Sequence, residues 1–309
     1  MTATTTIPVA GARPRGAPRR GRMFRRLALV PAVVVLVLLT VVPVVNLLAM
    51  ALSEITFSRG TVSWTFAPVK NLQTLAGDSL FRIATLNTVF FVVVSVSIEM
   101  VLGTGLAVLA ASVRRGKGIV RTVTILPILV SAVAIGAMWR LMYSYDFGLF
   151  NQILGALGLG KVGWLSDASI ALLSVVVVDI WHWTPLVFLI LFAAAEGLPR
   201  DVIEAARIDG ATRWQLLRYV ILPLLAPAIA VAFIFRTIAA FKVFDQIVLL
   251  TGGGPGSSTE VLSLRLYRVF FEQNALGYGA LLSVLAIAMV LAFLLTARLA
   301  TRRLAAPDA

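Results

Sequence analysis

Six stretches of almost uninterrupted apolar residues run along the chain, and each is long enough to cross a lipid bilayer. A helix needs about 20 apolar residues to cross the hydrocarbon core, where it satisfies its own backbone hydrogen bonds. Apolar residue types make up 60% of the chain and charged types only 13%. A water-soluble fold of this length could not bury that much apolar surface away from water. The sequence therefore predicts an all-α integral membrane protein. The six segments are residues 28–52, 83–111, 123–143, 168–195, 224–250 and 279–299.

Basic residues are concentrated in alternate connections between these segments. Connections rich in Lys and Arg are retained on the cytoplasmic side of a membrane. We therefore predict that both termini are cytoplasmic. The basic residues on the predicted inside are Arg13, Arg15, Arg19, Arg20, Arg22, Arg25, Arg26, Arg114, Arg115, Lys117, Arg121, Arg200, Arg207, Arg213, Arg218, Arg298, Arg302 and Arg303. Those on the predicted outside are Arg59, Lys70, Arg82, Lys161, Arg265 and Arg268.

The residues before the first segment are rich in Pro, Gly and Arg. Residues 1–26 are therefore predicted to form a disordered cytoplasmic tail that lies against anionic lipid headgroups. The six-helix membrane domain is predicted to span 27–304, with a short tail at 305–309. A cleaved signal peptide is the alternative for the first segment, which ends near Ala49-Met50-Ala51. Its length of about 25 residues favours a retained helix, because a signal core has about 7 to 15.

The chain lacks the residues that several classes of function require. There is no Cys and His182 is the only histidine, so we predict no catalytic site and no metal site. The formal net charge of +13 is spread between apolar segments and not gathered on one surface, which argues against a nucleic-acid partner. The stretch from Gly155 to Lys161 resembles a phosphate-binding loop, but Val162 occupies the position that needs Ser or Thr. We therefore expect no nucleotide to bind this chain.

The connection at residues 196–223 is too charged to span a membrane, and its pattern indicates two short helices. Pro199 is suited to the start of the first helix, and Gly210 can adopt the left-handed conformation that ends it. The second helix is predicted at 211–220, ending before Pro223.

The first of these helices carries a face of small side chains flanked by carboxylates. Ala205 and Ala206 would let another protein approach closely, and Glu204 and Asp209 would attract a basic partner. From the residues alone, two interpretations stay open. The helix is either a docking surface for another protein or an amphipathic helix that rests on the membrane surface.

The connection also matches a family pattern. Glu-Ala-Ala at 204–206, Gly210 and Val-Ile-Leu-Pro at 220–223 resemble the EAA loop of ABC importer permeases. The resemblance implies a coupling helix that docks into cytoplasmic ATPase subunits, which bind ATP and Mg, while this chain itself binds no cofactor. The implied coupling residues are Glu204, Ala205, Ala206, Asp209, Gly210 and Ala211.

A second stretch, residues 241–255, resembles the maltose/trehalose-type carbohydrate permeases. Gly253, Gly254 and Pro255 are expected to shape an external loop that faces an extracytoplasmic sugar-binding protein. The family implies a type I ABC importer permease fold with six transmembrane helices, in the bacterial plasma (inner) membrane. It also implies a second homologous permease subunit and two ATPase subunits.

The resemblance makes a disaccharide such as trehalose or maltose the expected solute, with glycerol phosphate and oligosaccharides left as alternatives. An ion-coupled secondary carrier is the rival from another class. That reading is disfavoured because such carriers normally show paired internal repeats, which this sequence lacks.

Ionisable residues inside membrane segments are costly and should face protein or water. Arg236 and Ala240 share a helix face, and the resemblance implies that both line the sugar site. The alternative is a structural ion pair between Arg236 and either Glu99 or Asp179. Lys242, the other deep cation, is also expected to pair with Asp245 on its own helix.

The fourth segment supplies two further candidates. Trp183 and Thr184 precede Pro185, which can kink the helix towards a cavity, and an aromatic face can stack on a sugar ring. Packing is the alternative for the tryptophan. The candidate pathway residues are Arg236, Ala240, Trp183, Thr184 and Lys242.

Overall fold

The computed structural model describes residues 19–58, 61–113 and 115–305. The chain forms two compact units, one ending at Ala49 and the other beginning at Met50. A single helix, α1 (Arg19–Ala51), makes up the described part of the first unit and ends within the second. Residues 1–18 of the predicted tail and residues 306–309 lie outside the described part, whereas the predicted tail from Arg19 to residue 26 is helical.

The regular structure of the second unit, in its described residues, is helical apart from one hairpin. Its elements are β1 (Ser53–Ser58), β2 (Thr61–Phe66), α2 (Pro68–Gly77), α3 (Ser79–Ser112), α4 (Lys117–Ile125) with a 3₁₀ turn (Leu126–Leu129), α5 (Ala132–Met142), α6 (Leu149–Ala156), α7 (Ala171–Glu196), α8 (Arg200–Ile208), α9 (Arg213–Gln215) with a π-helical turn (Leu216–Ile221), α10 (Leu222–Phe241), α11 (Asp245–Leu250), α12 (Leu262–Tyr267) with a second π-helical turn (Arg268–Glu272), and α13 (Leu276–Ala305).

Six apolar segments are present in the described residues, but only five are continuous helices. The sixth is a bent pair, Lys117–Leu129 followed by Ala132–Met142, whose axes differ by 93°. The all-α membrane fold is therefore confirmed in this form. The continuous spans are Leu29–Ala51, Ser79–Ser112, Ala171–Glu196, Arg213–Phe241 and Leu276–Leu299.

The segment predicted at 123–143 falls within this bent pair and is not one continuous helix. Val130 and Ser131 adopt extended backbone angles, and the Ser131 hydroxyl then caps α5 by accepting from the Ala134 N–H at 3.4 Å. Pro127 lies just before this break, and its carbonyl accepts a hydrogen bond from His182 Nδ1 at 3.1 Å. The same carbonyl also accepts from the Val130 N–H at 3.3 Å, so His182 adds a second hydrogen bond near the bend.

The predicted helix at 224–250 is also interrupted. Helix α10 ends at Phe241 and α11 begins at Asp245. The Val243 carbonyl in the gap accepts a hydrogen bond from Ser263 Oγ, so a side chain replaces its helical partner. The predicted pairing of Lys242 with Asp245 was wrong: both side chains are exposed, and no ion pair joins these two described residues.

Helices α3 and α7 form the central pair of the second unit, and α10 packs against both. Gly103 of α3 lies against Val187 of α7, where an added Cβ would fall 2.6 Å from the valine Cγ1. Absence of a side chain at this position lets the two backbones approach closely. The buried residues around this contact include Phe188 and Leu191.

The start of α3 is tied to the start of α13. Asp78 caps α3 by accepting from the Phe81 N–H at 2.9 Å, and it also accepts from Arg265 Nη2 at 2.8 Å and the Tyr278 hydroxyl at 2.6 Å. Burial alone would raise the pKa of Asp78. The hydrogen bonds from Tyr278, Arg265 and Phe81 outweigh burial and hold that pKa below its ordinary value.

Candidate functional site

Helix α8 has the bounds that its sequence predicted. It begins after Pro199, which has extended backbone angles, and it ends at Ile208, followed by Asp209 as the C-cap and by Gly210 in the left-handed region at φ +82°. The Gly210 N–H donates to the Arg207 carbonyl and the Ala211 N–H to the Ala206 carbonyl. This pair of bonds is the Schellman motif that closes a helix at a left-handed residue.

The surface of α8 is open. Glu204, Ala205, Asp209 and Gly210 are exposed, Ala206 and Ala211 are partly exposed, and α8 has no buried residue. Two large apolar side chains stand beside them, with 85% of Ile208 and 64% of Trp214 exposed. An exposed apolar surface with flanking carboxylates is typical of a site for another protein.

The second helix of this connection does not stop before Pro223, and that prediction was wrong. Thr212 begins it with a capping box, in which the Thr212 side chain and Gln215 each accept from the other's backbone N–H. A π-helical turn follows, where the Leu222 N–H donates to the Leu217 carbonyl, and the helix continues to Phe241. The wider turn accommodates Pro223, which has no N–H to donate.

A cavity of about 450 Å³ lies between α8 and the ends of α3 and α7. Its wall includes Ser112, Glu204 and an ion pair between Lys117 and Glu196, whose Nζ and Oε1 atoms are 2.6 Å apart. This ion pair joins the start of α4 to the end of α7. Both of its side chains are about one-third or more exposed, so it contributes little to stability.

A buried ionic triad joins the three central helices. Arg236 of α10 donates through Nε and Nη2 to Glu99 of α3, and through Nη2 to Asp179 of α7. The three residues are 1%, 0% and 1% exposed. The pairing that the sequence suggested as an alternative is therefore present, and it uses both carboxylates.

The aromatic ring of Trp183 lies beside the guanidinium of this triad. Its ring centroid lies 5.4 Å from Arg236 Cζ, a distance at which a cation and a ring attract each other. Arg236 and Trp183 are thus brought together. Thr184 Oγ1 donates to the Ile180 carbonyl of its own helix at 2.6 Å.

The other two pathway candidates lie elsewhere. Ala240 is 1% exposed and packs with Val92, Val96 and Phe241 in an apolar cluster. Lys242 is exposed just past the end of α10. The assignment of these residues to a sugar pathway stays a prediction.

The glycine-rich loop is held against α3, which sequence reasoning missed. Asn87 Nδ2 lies 3.3, 3.1 and 2.9 Å from the carbonyl oxygens of Ser257, Ser258 and Glu260. The neighbouring Thr88 Oγ1 accepts from the Leu262 N–H at 2.8 Å. The adjacent polar pair Asn87-Thr88 near the start of an apolar helix was the available signal.

The loop itself contains Gly253, Gly254 and Pro255, and Gly253 has φ +93°. Arg268 bridges it by donating to Glu260 Oε2 and, at 2.7 Å, to the Gly252 carbonyl. Burial raises the pKa of Glu260, and the positive charge of Arg268 offsets only part of that rise.

The sequence and the fold both match known transport proteins. Residues 103–305 match the family described as binding-protein-dependent transport system inner membrane component. The trehalose/maltose transport system permease protein of Thermococcus litoralis is 35% identical over 86% of this chain and 90% of its own length. The trehalose transport system permease protein of Mycobacterium tuberculosis is 33% identical over 84% of each.

A crystal structure of a bacterial alginate ABC transporter, in complex with an alginate pentasaccharide-bound periplasmic protein, contains a chain with the same fold. Its TM-score is 0.77 at 22% identity, with 94% of this chain and 98% of that chain covered. This chain belongs to the family of binding-protein-dependent ABC transport permeases, whose members are membrane-spanning transport subunits and not enzymes.

Proposed function

We propose that this chain forms half of the translocation pathway of a carbohydrate importer. Its partners are a second homologous permease, two cytoplasmic ATPase subunits that bind ATP and Mg, and an extracytoplasmic sugar-binding protein. Both termini and α8 lie on the cytoplasmic side, and the glycine-rich loop lies outside. The names of the two permease relatives, one for trehalose/maltose and one for trehalose, support a disaccharide as the solute.

The observation that carries this proposal is the uninterrupted helix from Arg213 to Phe241. One end adjoins the exposed surface of α8, and Arg236 near the other end is bonded to α3 and α7. We infer that this helix transmits movement along its length, since it stays continuous through the π-helical turn at Leu216–Ile221 and past Pro227. A displacement of α8 by the ATPases therefore reaches the triad and changes the packing of three membrane helices.

The second proposed role is contact with sugar at Arg236 and Trp183. An aromatic ring can stack on a pyranose, and guanidinium N–H groups donate to hydroxyl oxygens. In the described conformation the guanidinium already donates to Glu99 and Asp179. Sugar would therefore bind when movement of α10 frees part of this network, which links solute contact to the coupling movement.

The triad also bears on the choice of solute. Two carboxylates surround the one guanidinium, so this position offers no surplus positive charge to a phosphate group. A neutral sugar fits such a site better than the alternative solute, glycerol phosphate. We therefore favour a neutral disaccharide.

Uptake into proteoliposomes tests the proposal. We expect radiolabelled trehalose or maltose to accumulate only when this chain, the second permease, both ATPases, the external binding protein and ATP are all present. Glycerol phosphate in excess should not compete. Uptake that persists without ATPases, or that follows an ion gradient, would contradict the proposal.

A further inference from the structure

The hairpin that follows α1 has one apolar and one polar face. Directly paired residues of antiparallel strands point to the same side, so Trp64 shares a face with Ile55, its partner on β1. Val62 and Phe66 lie two residues either side of Trp64 and share that face. The exposed fractions of Val62, Trp64 and Phe66 are 59%, 52% and 75%.

The opposite face of the hairpin is polar. It carries Ser63 and Thr65 of β2, and the Ser63 hydroxyl lies 2.5 Å from the Thr56 hydroxyl on β1. Thr65 Oγ1 donates to the Glu54 carbonyl at 3.4 Å. Glu54 also pairs with Lys70 at the edge of this region.

Helix α2, next along the chain, carries two further exposed apolar side chains. Val69 and Leu72 are 61% and 55% exposed, while Asn71 between them is buried. Asn71 Nδ2 donates to the carbonyls of Ala51 and Ser53 at 2.9 and 3.0 Å, which fixes α2 against the start of the hairpin. We call the set Val62, Trp64, Phe66, Val69 and Leu72 the apolar strip.

The hairpin rests on the ends of membrane spans. On β1 the apolar face is covered, since Ser53 and Ile55 are 4% and 8% exposed. Ser53 lies against Gly277 at the start of α13, where any side chain would collide with the Ser53 carbonyl oxygen. Ile55 lines a cavity of about 560 Å³ together with Asp78, which caps α3. This face of β1 therefore covers the point where α3 and α13 begin.

Strand β2 lies about 4.8 Å beyond β1, and so extends past that protein support. Bilayer surrounds the ends of membrane spans, and Trp is enriched there because its ring is apolar while its N–H can bond to water or headgroups. A strip of exposed Val, Leu, Trp and Phe fits that environment.

We propose that the apolar strip lies in the boundary between headgroups and acyl chains of the predicted outer leaflet. The hairpin and α2 then form an interfacial anchor that holds the starts of α3 and α13 at a fixed depth. Lipid is the partner, and the inference depends neither on the transported solute nor on the coupling movement.

Spin labels on single cysteines test this position directly, because the chain contains no cysteine of its own. Val62→Cys and Ser63→Cys place labels on adjacent residues that point to opposite faces of β2. The full chain is reconstituted in nanodiscs of phosphatidylcholine and phosphatidylglycerol, alone and with the subunits that co-purify with it. Collision with oxygen, which dissolves in lipid, is compared with collision with a water-soluble nickel chelate.

We expect the ratio of oxygen to nickel collisions to be several-fold higher at position 62 than at 63, in both preparations. Trp64→Cys and Thr65→Cys repeat the comparison one step along the strand, so the result does not depend on one substitution. Equal ratios on the two faces would place the strip in water and overturn the proposal. A label at 62 that neither reagent reaches would show that protein covers the strip, which would overturn it equally.

Discussion

Arg236 and Glu99 are 137 residues apart in the chain, yet the guanidinium donates two hydrogen bonds to this carboxylate in the centre of the membrane unit. Asp179 accepts from the same guanidinium. The contact joins the helix that adjoins the α8 surface to both helices of the central pair. It is the one place among the described residues where all three are linked by charge.

Replacement of Arg236 should destabilise the chain strongly. Arg236→Ala leaves Glu99 and Asp179 buried without their cation, and loss of one partner of a buried ion pair costs about 3–5 kcal/mol. The thermal midpoint of the purified protein should fall clearly. Arg218→Ala, an exposed residue on the same continuous helix, is the matched control and should leave the midpoint nearly unchanged.

A triple variant separates stability from transport. Arg236→Gln with Glu99→Gln and Asp179→Asn removes all three charges and keeps hydrogen-bonding groups of similar size, so most of the lost stability should return. If Arg236 also contacts sugar, uptake should stay low in this variant. Recovery of full uptake would instead assign the triad a purely structural role.

The close approach of α3 and α7 depends on Gly103. Gly103→Ala would place a methyl group 2.6 Å from Val187 Cγ1, and such overpacking costs about 1–3 kcal/mol. Gly105→Ala, two residues along the same helix with nothing within 4 Å, is the control and should be neutral or slightly stabilising. The thermal midpoints of the two variants are measured together. Equal shifts in both would contradict the role assigned to Gly103.

The end of α8 depends on the left-handed conformation of Gly210. Gly210→Ala should cost roughly 1–2 kcal/mol locally, because a Cβ is disfavoured at positive φ. The amides of Gly210 and Ala211 should then exchange faster with deuterium. The control Gly118→Ala lies in a helix with open space around it, and it should leave this exchange unaltered.

Acid should weaken the contacts through which Asp78 ties the start of α3 to Arg265 and Tyr278. The pKa of Asp78 is lowered in the folded chain, so its contribution is fully present above the ordinary value of 3.8 and is lost as pH falls through the lower folded value. Asp78→Asn keeps a capping side chain but cannot titrate. The difference in thermal midpoint between wild type and Asp78→Asn should be largest near neutral pH and should shrink below about pH 4. A difference that does not change with pH would contradict this role.

Local signals explain which parts of the fold could be predicted from the sequence. Span length depends on composition, so the six segments were found. Pro199 and Gly210 act through their own backbone angles, so the bounds of α8 were also found.

The breaks in two segments depend on distant partners that the sequence does not pair. The Val243 carbonyl accepts from Ser263, and the Pro127 carbonyl accepts from His182 as well as from the Val130 N–H. The cost of burying a charge made an ion pair with Glu99 or Asp179 the alternative role for Arg236, but only the packing of three helices brings both carboxylates to it. The Asn87 contacts with the glycine-rich loop likewise required the folded arrangement.

The ratio of sugar imported to ATP hydrolysed, measured in the same proteoliposomes, tests the coupling role of α8 most directly. Glu204→Lys reverses a charge on the exposed α8 surface, whereas Asp146→Lys makes the same change at an exposed position outside α8. We predict that Glu204→Lys lowers the ratio severalfold with the spans still inserted, and that Asp146→Lys leaves it unchanged. A wild-type ratio in Glu204→Lys would contradict the account.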